Sequence, residues 1–289
     1  MAKQFTVQDF FSRFGTDDAC LDHLMKVRYG ERIVCPKCSK EGRFVRIKGI
    51  PAYGCPTPRC GHHIHPMAGT PFTRSHMPLQ KWFYAMYLFT TSRHGVSAKE
   101  LQRQLGVTYK TAWRIAHEIR KYMGQVDGNP PMGGHVEIDE TLIGGENRGA
   151  GKGNWRKGKA VVFGMIEREG VLHTRVVPNS RQGTLEPIVR EMVAEGSTIS
   201  TDEAPAYAGL ADGYEHGAVN HSKDEWRRGK HHTNTIENFW SILKRSIRST
   251  HISVSAKHLP KYLGEFEYRH NMRKHPEKML GRLLLSFAS

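Results

Sequence analysis

The chain has 289 residues, a length typical of a protein with two domains. Hydrophobic residues make up 38% of the sequence, which is enough for folded cores and excludes a disordered tail protein. The sequence has no run of 18 apolar residues and begins without the apolar segment of a secretory signal, so we expect a cytoplasmic protein with no membrane span. Five cysteines in such a chain favour metal binding over a disulfide scaffold.

The formal net charge is +15, and it is unevenly distributed along the chain. Residues 1–130 hold 20 Lys or Arg against 9 Asp or Glu, whereas residues 131–289 hold 23 against 19. A basic excess of this kind is typical of a surface that binds the phosphates of a nucleic acid. A solvated surface that serves solubility is the alternative.

Helices and cysteine turns alternate in the first half of the chain. Residues 6–29 predict two short helices, each preceded by a threonine N-cap. Residues 33–66 combine short β-like runs with cysteines, and residues 78–123 predict three helices. Residues 125–134 are rich in Gly and Pro and predict a linker.

Beyond this linker the pattern is mixed. Runs of β-branched and apolar residues predict strands at 136–139, 161–166, 171–177 and 198–201. Apolar periodicity predicts helices at 184–195, 234–249, 254–269 and 276–287. We therefore expect an α/β domain after a series of smaller N-terminal modules.

Two pairs of cysteines separated by 16 residues have the layout of a structural zinc ribbon, in which four thiolates bind one Zn²⁺. The four residues are Cys35, Cys38, Cys55 and Cys60. Zinc accepts four soft ligands without redox change, which suits this set. The second pair encloses four residues instead of two, so a nearby histidine could replace Cys60. The candidates are His62, His63 and His65.

Residues 97–117 predict a helix-turn-helix. Apolar residues on both helices would form its buried side, and the second helix would present an edge that reads a DNA groove. The residues of that edge are Tyr109, Lys110, Thr111 and Arg114. An ordinary helical hairpin is the alternative reading of the same pattern.

Three carboxylates stand in contexts that suit a catalytic metal site. Asp139 is expected to end a strand, Asp202 follows another strand, and Glu237 lies in a helix. Carboxylates placed in this way can converge to hold two Mg²⁺ ions, which serve phosphodiester chemistry. Asp202 could instead start a helix. Three neighbouring acidic residues compete for the same role, and they are Glu137, Glu140 and Glu203.

Basic residues near these carboxylates are expected to contact DNA. Lys244 follows Glu237 by seven positions, which is two helical turns, so both side chains share one face of the helix. Arg245 and Arg248 are further expected contacts. The Gly-rich segment 144–159 adds four more, unless it is a plain flexible loop. They are Arg148, Lys152, Arg156 and Lys157.

The chain resembles an insertion-sequence transposase of the DDE type, in the subgroup with an N-terminal zinc ribbon. Six sequence motifs match, and together they cover nearly the whole chain. They are Cys35-Pro-Lys-Cys38, Gly69-Thr-Pro-Phe72 with Trp82, Glu137 to Thr141 followed by Gly144-Gly145, Thr201-Asp202, His232 to Trp240, and Glu265 to Arg273. The enlarged second cysteine pair departs from the family pattern.

This resemblance implies an RNase H-like catalytic domain, in which a mixed sheet carries helices on its faces. It implies that Asp139, Asp202 and Glu237 are metal ligands and that Lys244 contacts the DNA end. Related sequences can place an asparagine at the third position, so Asn238 remains an alternative to Glu237. The expected parts are an N-terminal helical segment (1–30), the zinc ribbon (31–70), a helix-turn-helix DNA-binding domain (71–125) and the catalytic domain with its C-terminal helices (134–289).

We therefore predict a DNA transposase. Mg²⁺-dependent hydrolysis would free 3′-hydroxyls at the terminal inverted repeats, and these hydroxyls would then attack target DNA. The resemblance implies a homodimer or larger assembly on double-stranded DNA, associated with the nucleoid of a bacterium or archaeon. The alternatives are a catalytically inactive, domesticated DNA-binding regulator and a structure-specific nuclease.

Overall fold

A computed structural model describes residues 5–73, 75–126, 128, 130–144, 158–203 and 205–288. Two compact units are present. Unit 1 comprises Met1–Ser92, Ala98–Tyr122 and His275–Ser289, and unit 2 comprises Arg93–Ser97 and Met123–Lys274. Within the part of the chain that the structure describes, every helix is too short or too polar to cross a membrane.

The described residues form nine α-helices. They are α1 (Val7–Arg13), α2 (Asp17–Tyr29), α3 (Leu79–Thr91), α4 (Ala98–Leu105), α5 (Tyr109–Met123), α6 (Gln182–Met192), α7 (Asn234–Ser246), α8 (Leu259–Asn271) and α9 (Met279–Ala288). The predicted N-caps form: the Thr6 hydroxyl accepts the backbone N–H of Asp9, and the Thr16 hydroxyl accepts that of Ala19. A π-helical turn, Ile247–His251, continues directly from α7.

Ten strands form three sheets in the same part of the chain. Five short strands surround the cysteines, and they are β1 (Ile33–Val34), β2 (Glu41–Gly42), β3 (Val45–Arg46), β4 (Tyr53–Gly54) and β5 (His63–Ile64). Five strands form the sheet of unit 2, and they are β6 (His135–Ile143), β7 (Ala160–Glu167), β8 (Leu172–Val177), β9 (Thr198–Asp202) and β10 (Glu215–Val219). Their order is β10-β9-β6-β7-β8, with β10, β9 and β6 parallel and β6, β7 and β8 antiparallel.

The core of unit 1 is rich in aromatic side chains. Phe14 contacts Phe83 edge-on, with ring centroids 5.2 Å apart, and Phe72 stacks on Phe287 at 5.6 Å. The helix predicted at 276–287 forms as α9, but it belongs to unit 1 and not to the unit that holds the rest of the predicted region 134–289. The physical reason is that Leu283 and Phe287 of α9 are fully buried in this aromatic core.

Helices cover both faces of the unit 2 sheet. On one face, Leu185 and Val189 of α6 pack in a core with Phe163 of β7. On the other face, α7 and α8 contribute Leu243 and Phe266 to a second core. A strand buried on both sides explains the nearly continuous apolar run of β7. The mixed α/β architecture expected for this region is therefore present.

Two strands differ from the sequence prediction. The prediction that Asp139 ends a strand is wrong, because β6 continues to Ile143 through antiparallel pairing of Thr141 with Val162. Asp139 therefore lies in the middle of β6. The strand β10 was not predicted, since its sequence, Glu-His-Gly-Ala-Val, lacks apolar alternation, and it forms as the parallel neighbour of β9.

Candidate metal centres and nucleic-acid interface

The four predicted cysteines converge on one point in unit 1. Their sulfur atoms all lie within 4.8 Å of one another. The Sγ atoms of Cys35 and Cys60 are 3.6 Å apart, and those of Cys38 and Cys55 are 3.7 Å apart. A tetrahedral zinc with Zn–S bonds of about 2.3 Å requires sulfurs about 3.8 Å apart, so the donor set fits Zn²⁺. Cys60 completes this group, and no described histidine takes its place.

Two local turns position the cysteines. The backbone N–H of Ser39 donates to the carbonyl of Cys35 at 2.8 Å, and Ser39 is left-handed with φ 56°. In the longer second pair, the N–H of Cys60 donates to the carbonyl of Thr57 at 3.1 Å. This turn accommodates the two additional residues between Cys55 and Cys60. The hydrogen bonds of Cys38 with the Lys40 backbone and with the Thr57 hydroxyl lower the pKa of Cys38 to about 6, which favours the thiolate that binds metal.

Two of the predicted carboxylates meet on adjacent strands of unit 2. Glu137 of β6 is paired with Ser200 of β9 in parallel register. Asp139 and Asp202 each follow this last pair by two residues, and they lie close enough for the charge of Asp202 to act on Asp139. Burial, together with the negative charges of Asp202 and Glu140, raises the pKa of Asp139 from 3.8 to about 7. Carboxylates that repel each other in this way form an oxygen-rich site suited to a divalent cation.

Trp240 of α7 holds Asp139 in place. Its indole Nε1 donates a hydrogen bond to Oδ2 of Asp139 at 3.0 Å. The ring reaches this position because Gly164 of β7 lies opposite Asp139, and a Cβ at Gly164 would come within 2.5 Å of the indole. A glycine inside a strand can signal such a close approach, and this is the sequence feature that could have indicated the contact.

Glu237 lies in the first turn of α7, where two polar side chains orient it. The Thr233 hydroxyl donates to Oε1 at 2.6 Å, and Nε2 of His221 is 2.9 Å from the same oxygen. The side chain is 37% exposed. Among the described residues, the cysteines alone form a cluster of three or more ligand atoms within 4.8 Å. The structure thus brings Asp139 and Asp202 together but does not bring all three carboxylates into one such cluster.

The competing carboxylates have other partners. Glu137 is fully buried and accepts the backbone N–H groups of Thr235 at 2.7 Å and Ile236 at 3.2 Å. It therefore caps the start of α7, which is a structural role that the sequence did not reveal. The carboxylate of Glu140 accepts the Tyr207 hydroxyl. Glu203 accepts hydrogen bonds from Asn220 and Arg228. Asn238 is exposed on α7.

Lys244 is half-buried, two helical turns beyond Glu237. Burial lowers the pKa of Lys244, and the negative charge of Asp139 opposes this shift, which places the ammonium group near the carboxylate pair. Lys244 lines a cavity of about 1090 Å³ that extends over the end of β6 and the start of β7. The two further predicted DNA contacts, Arg245 and Arg248, are exposed.

In unit 1, α4 and α5 are joined by a turn at Gly106, where φ is 61°. Leu101 and Ile115 are fully buried between them and the rest of the unit, as the helix-turn-helix pattern predicts. Three of the four predicted groove-reading residues are exposed, whereas Thr111 is half-buried and bonds the Thr108 hydroxyl at 3.0 Å. The exposed residues are Tyr109, Lys110 and Arg114.

One aromatic residue on this face was not predicted. Trp113, four positions after Tyr109, is 37% exposed and stacks on His117 with ring centroids 3.8 Å apart. The four basic residues predicted in the Gly-rich segment lie outside the part of the chain that the structure describes. They are Arg148, Lys152, Arg156 and Lys157.

Comparison with known proteins adds two family matches. Residues 131–271 match the ISXO2-like transposase domain, and residues 15–63 match the transposase zinc-ribbon domain. The first region contains the three carboxylates, and the second contains all four cysteines. The cysteine cluster and the zinc-ribbon match together support zinc binding.

Two relatives extend these matches. An uncharacterized protein in transposable element ISH50 of Halobacterium salinarum is 27% identical over 285 residues, which cover 92% of this chain and 94% of that relative. An uncharacterized transposase-like protein of Haemophilus influenzae is 35% identical over 101 residues, which cover 35% of this chain and 80% of that relative. Taken with the fold and the cysteine site, these matches define the protein as a transposase. More narrowly, the chain belongs to the DDE-type insertion-sequence transposases that combine an N-terminal zinc ribbon with an ISXO2-like transposase domain.

Proposed function

We propose that the protein cleaves DNA at the ends of an insertion sequence and joins the freed 3′-hydroxyls to target DNA. The observation that carries this proposal is the Asp139–Asp202 pair on adjacent parallel strands, with Lys244 beside it. Two like charges on adjacent strands repel each other unless a cation neutralises them. Phosphodiester chemistry on two Mg²⁺ ions needs such a set of oxygen ligands.

Asp139, Asp202 and Glu237 would hold the magnesium ions. Thr233 and His221 both contact Oε1 of Glu237, which leaves Oε2 to turn toward a metal. His221 and Thr233 orient the carboxylate. When bound, the ions activate the attacking oxygen and neutralise the leaving oxygen at the scissile phosphate.

The chain's own residues prepare the site for this reaction. Trp240 fixes the rotamer of Asp139 through the bond to Oδ2, and Glu137 fixes the start of α7 and therefore the place of Glu237. Lys244 supplies a positive charge that positions a phosphate beside Asp139. No covalent intermediate with the protein is needed, because water and then the 3′-hydroxyl act as nucleophiles.

Unit 1 is proposed to bind the terminal inverted repeats. Residues 1–130, most of which belong to unit 1, hold 20 Lys or Arg against 9 Asp or Glu. The helix pair α4–α5 would act as a helix-turn-helix, with α5 in the major groove. The zinc ribbon, residues 31–70, would stiffen this DNA-binding region. Because two ends must be joined in one reaction, we expect a dimer or larger assembly on DNA.

Cleavage and strand transfer with labelled end DNA, a target plasmid and Mg²⁺ test the proposal. Asp139→Asn keeps an oxygen that can accept the Trp240 bond but removes the charge, so it should abolish both steps while end binding persists. Asp224→Asn is the matched control, because Asp224 is exposed and its left-handed φ of 56° suits asparagine. Cleavage without joining would instead indicate a structure-specific nuclease. Binding without cleavage by the unaltered protein would indicate a regulator.

A further inference from the structure

The cavity beside Lys244 is a strongly basic concave surface of unit 2. Its volume is about 1090 Å³. It is formed by the end of β6, the start of β7, residues 178–181, the end of α7 with the π-helical turn, and residues 252–254. Lys159, Arg181, Lys244 and Arg248 contribute positive charge, and Glu140 is the one carboxylate in this lining. We call this surface the basic groove.

Two cations in the basic groove have no counter-charge in the described chain. Arg181 and Arg248 are exposed, and neither forms an ion pair with a carboxylate of the residues that the structure describes. Nearby arginines outside the groove behave differently. Arg175 pairs with Glu191 at 3.3 Å, and Arg190 pairs with Glu186 at 2.7 Å. Unpaired positive charge gathered in a concave surface attracts an anionic ligand.

An exposed apolar residue stands in the same groove. Ile252 is 77% exposed, more than any other large hydrophobic side chain of the described residues. It ends the π-helical turn with φ 65° and ψ −58°. A positive φ is strongly disfavoured for a β-branched residue, and both such strain and π-helical turns concentrate at functional sites. The backbone thus holds an isoleucine toward solvent among arginines.

The geometry points to a DNA-binding role: the basic groove holds the strand next to the cleaved phosphodiester, with Arg181 and Arg248 on phosphates and Ile252 inserted between bases. Phosphates bind arginine, whereas an apolar side chain that meets DNA acts by wedging between base steps. The groove volume suits a few nucleotides of one strand. Ile252 would therefore unstack the bases that lie in the groove with Lys244. This inference rests on the proposed cleavage function.

The wedge is tested with Ile252→Gly. The variant should fold, because the side chain is exposed and glycine adopts a positive φ without strain. It should slow cleavage of a fully paired duplex, which carries the element end and its flanking DNA, by about tenfold or more, since unstacking is then unaided. On the same duplex with mismatched base pairs flanking the cleavage position, its rate should return to that of the unaltered protein. Ile252→Leu should retain cleavage on both.

The control is Ile242→Ala, which removes an exposed isoleucine of α7 that does not line the groove. It should leave both rates unchanged. If Ile252→Gly cleaves the paired duplex normally, or is slowed equally on paired and mismatched DNA, the wedge is refuted. If the unaltered protein cleaves neither duplex, the proposed function fails instead, so the two failures are distinguishable.

The phosphate contacts are tested by the salt dependence of DNA binding. Arg181→Gln should reduce the slope of log K against log salt by about 0.9 for the duplex with flanking DNA. The matched control is Arg175→Gln, which removes an exposed arginine whose partner is Glu191. Its slope should not change. An unchanged slope for Arg181→Gln, or an equal reduction in both variants, would overturn the assignment of the groove.

Discussion

The cysteine site of unit 1 and the carboxylate site of unit 2 are built in opposite ways. The cysteines span 26 residues from Cys35 to Cys60, and a local turn within each pair aims the two sulfurs. The carboxylates span 99 residues from Asp139 to Glu237, and the sheet register together with α7 positions them. When local turns position the ligands, the spacing of the ligands in the sequence identifies the site. When pairing between distant strands positions them, the sequence shows the candidate ligands but not the residues that hold them in place.

The largest effect should follow from removing a zinc ligand. Cys35→Ser or Cys38→Ser should lose the metal and unfold the ribbon, because metal binding and folding are coupled in such small modules. Metal analysis of the purified protein should give about one zinc per chain for the unaltered protein and none for the variants.

Cys20→Ala is the matched control for that measurement. Cys20 is fully buried in α2 and lies outside the cysteine cluster, so this variant should keep its zinc. A folded protein without zinc, or normal zinc in Cys35→Ser, would contradict the assignment. The molecule would then not combine a metal site whose ligands are close in sequence with one whose ligands are far apart in sequence.

The next effect concerns the third carboxylate. Glu237→Ala should lower cleavage roughly 100-fold or more, as removal of one charge-stabilising group does in other enzymes. Asn238→Ala should change little, because this side chain is exposed, whereas His221 and Thr233 orient Glu237. Rates of cleavage under single-turnover conditions measure both. If Asn238→Ala is inactive and Glu237→Ala retains most activity, the third ligand is Asn238 and not Glu237.

A substitution outside any ligand should also impair the carboxylate site. Gly164→Ala would put a Cβ within 2.5 Å of Trp240, which is nearly buried and cannot shift freely. We expect a loss of about 1–3 kcal/mol in stability and a cleavage rate reduced up to about 100-fold, since Asp139 loses its fixed orientation.

The control for Gly164 is Gly183→Ala in α6. A Cβ at Gly183 would meet no atom within 4 Å, and alanine favours a helix over glycine, so this variant should be at least as stable as the unaltered protein. Thermal unfolding and cleavage rates compare the two. Equal stability and equal cleavage rates in both variants would mean that β7 does not confine the indole of Trp240.

The smallest effect is a pH dependence of stability away from both metal sites. Burial raises the pKa of Glu267 from 4.5 to about 7, although Thr174 donates a backbone hydrogen bond to its carboxylate at 2.5 Å. Between these two pKa values the folded state keeps a proton that the unfolded state has lost. Stability should therefore fall as the pH rises from 4.5 to 7, by up to about 3 kcal/mol.

Glu267→Gln should make this slope smaller, because glutamine keeps an oxygen for Thr174 and carries no proton to lose, while Asp139, whose pKa is also raised to about 7, keeps its own contribution. The control is Glu195→Gln, at an exposed position, which should keep the slope of stability against pH that the unaltered protein shows. The midpoint of urea unfolding measured from pH 4.5 to 8 provides the comparison. If Glu267→Gln keeps the full slope of the unaltered protein, Glu267 ionises normally and the prediction is wrong.

These contrasts explain how far the sequence could be read. The N-caps at Thr6 and Thr16, the cysteine pairs and the strongly periodic helices depend on residues close in sequence, and they were predicted. The full length of β6 and the existence of β10 depend on pairing with strands distant in sequence. The local pattern therefore predicted too short a β6 and did not predict β10.

The same limit applies within the carboxylate site. Asp139, Asp202 and Glu237 were selected by residue type and context, but nothing local distinguished Glu137 from them. Its role became visible only through the N–H groups of α7, about 100 residues away. Two features of the sequence could have indicated that Trp240 supports the site. They are the glycine inside β7 and the three-residue spacing of Glu237 and Trp240, which puts both residues on one helix face.

The central claim is that Asp139 and Asp202 hold the catalytic metal ions, and titration with Mn²⁺ followed by electron paramagnetic resonance tests it directly. In the presence of end DNA, the unaltered protein should bind Mn²⁺. Asp139→Asn and Asp202→Asn should each weaken this binding at least tenfold, a range seen when metal sites are perturbed, while Asp224→Asn should not. Mn²⁺ binding that is unchanged in both variants would contradict the claim.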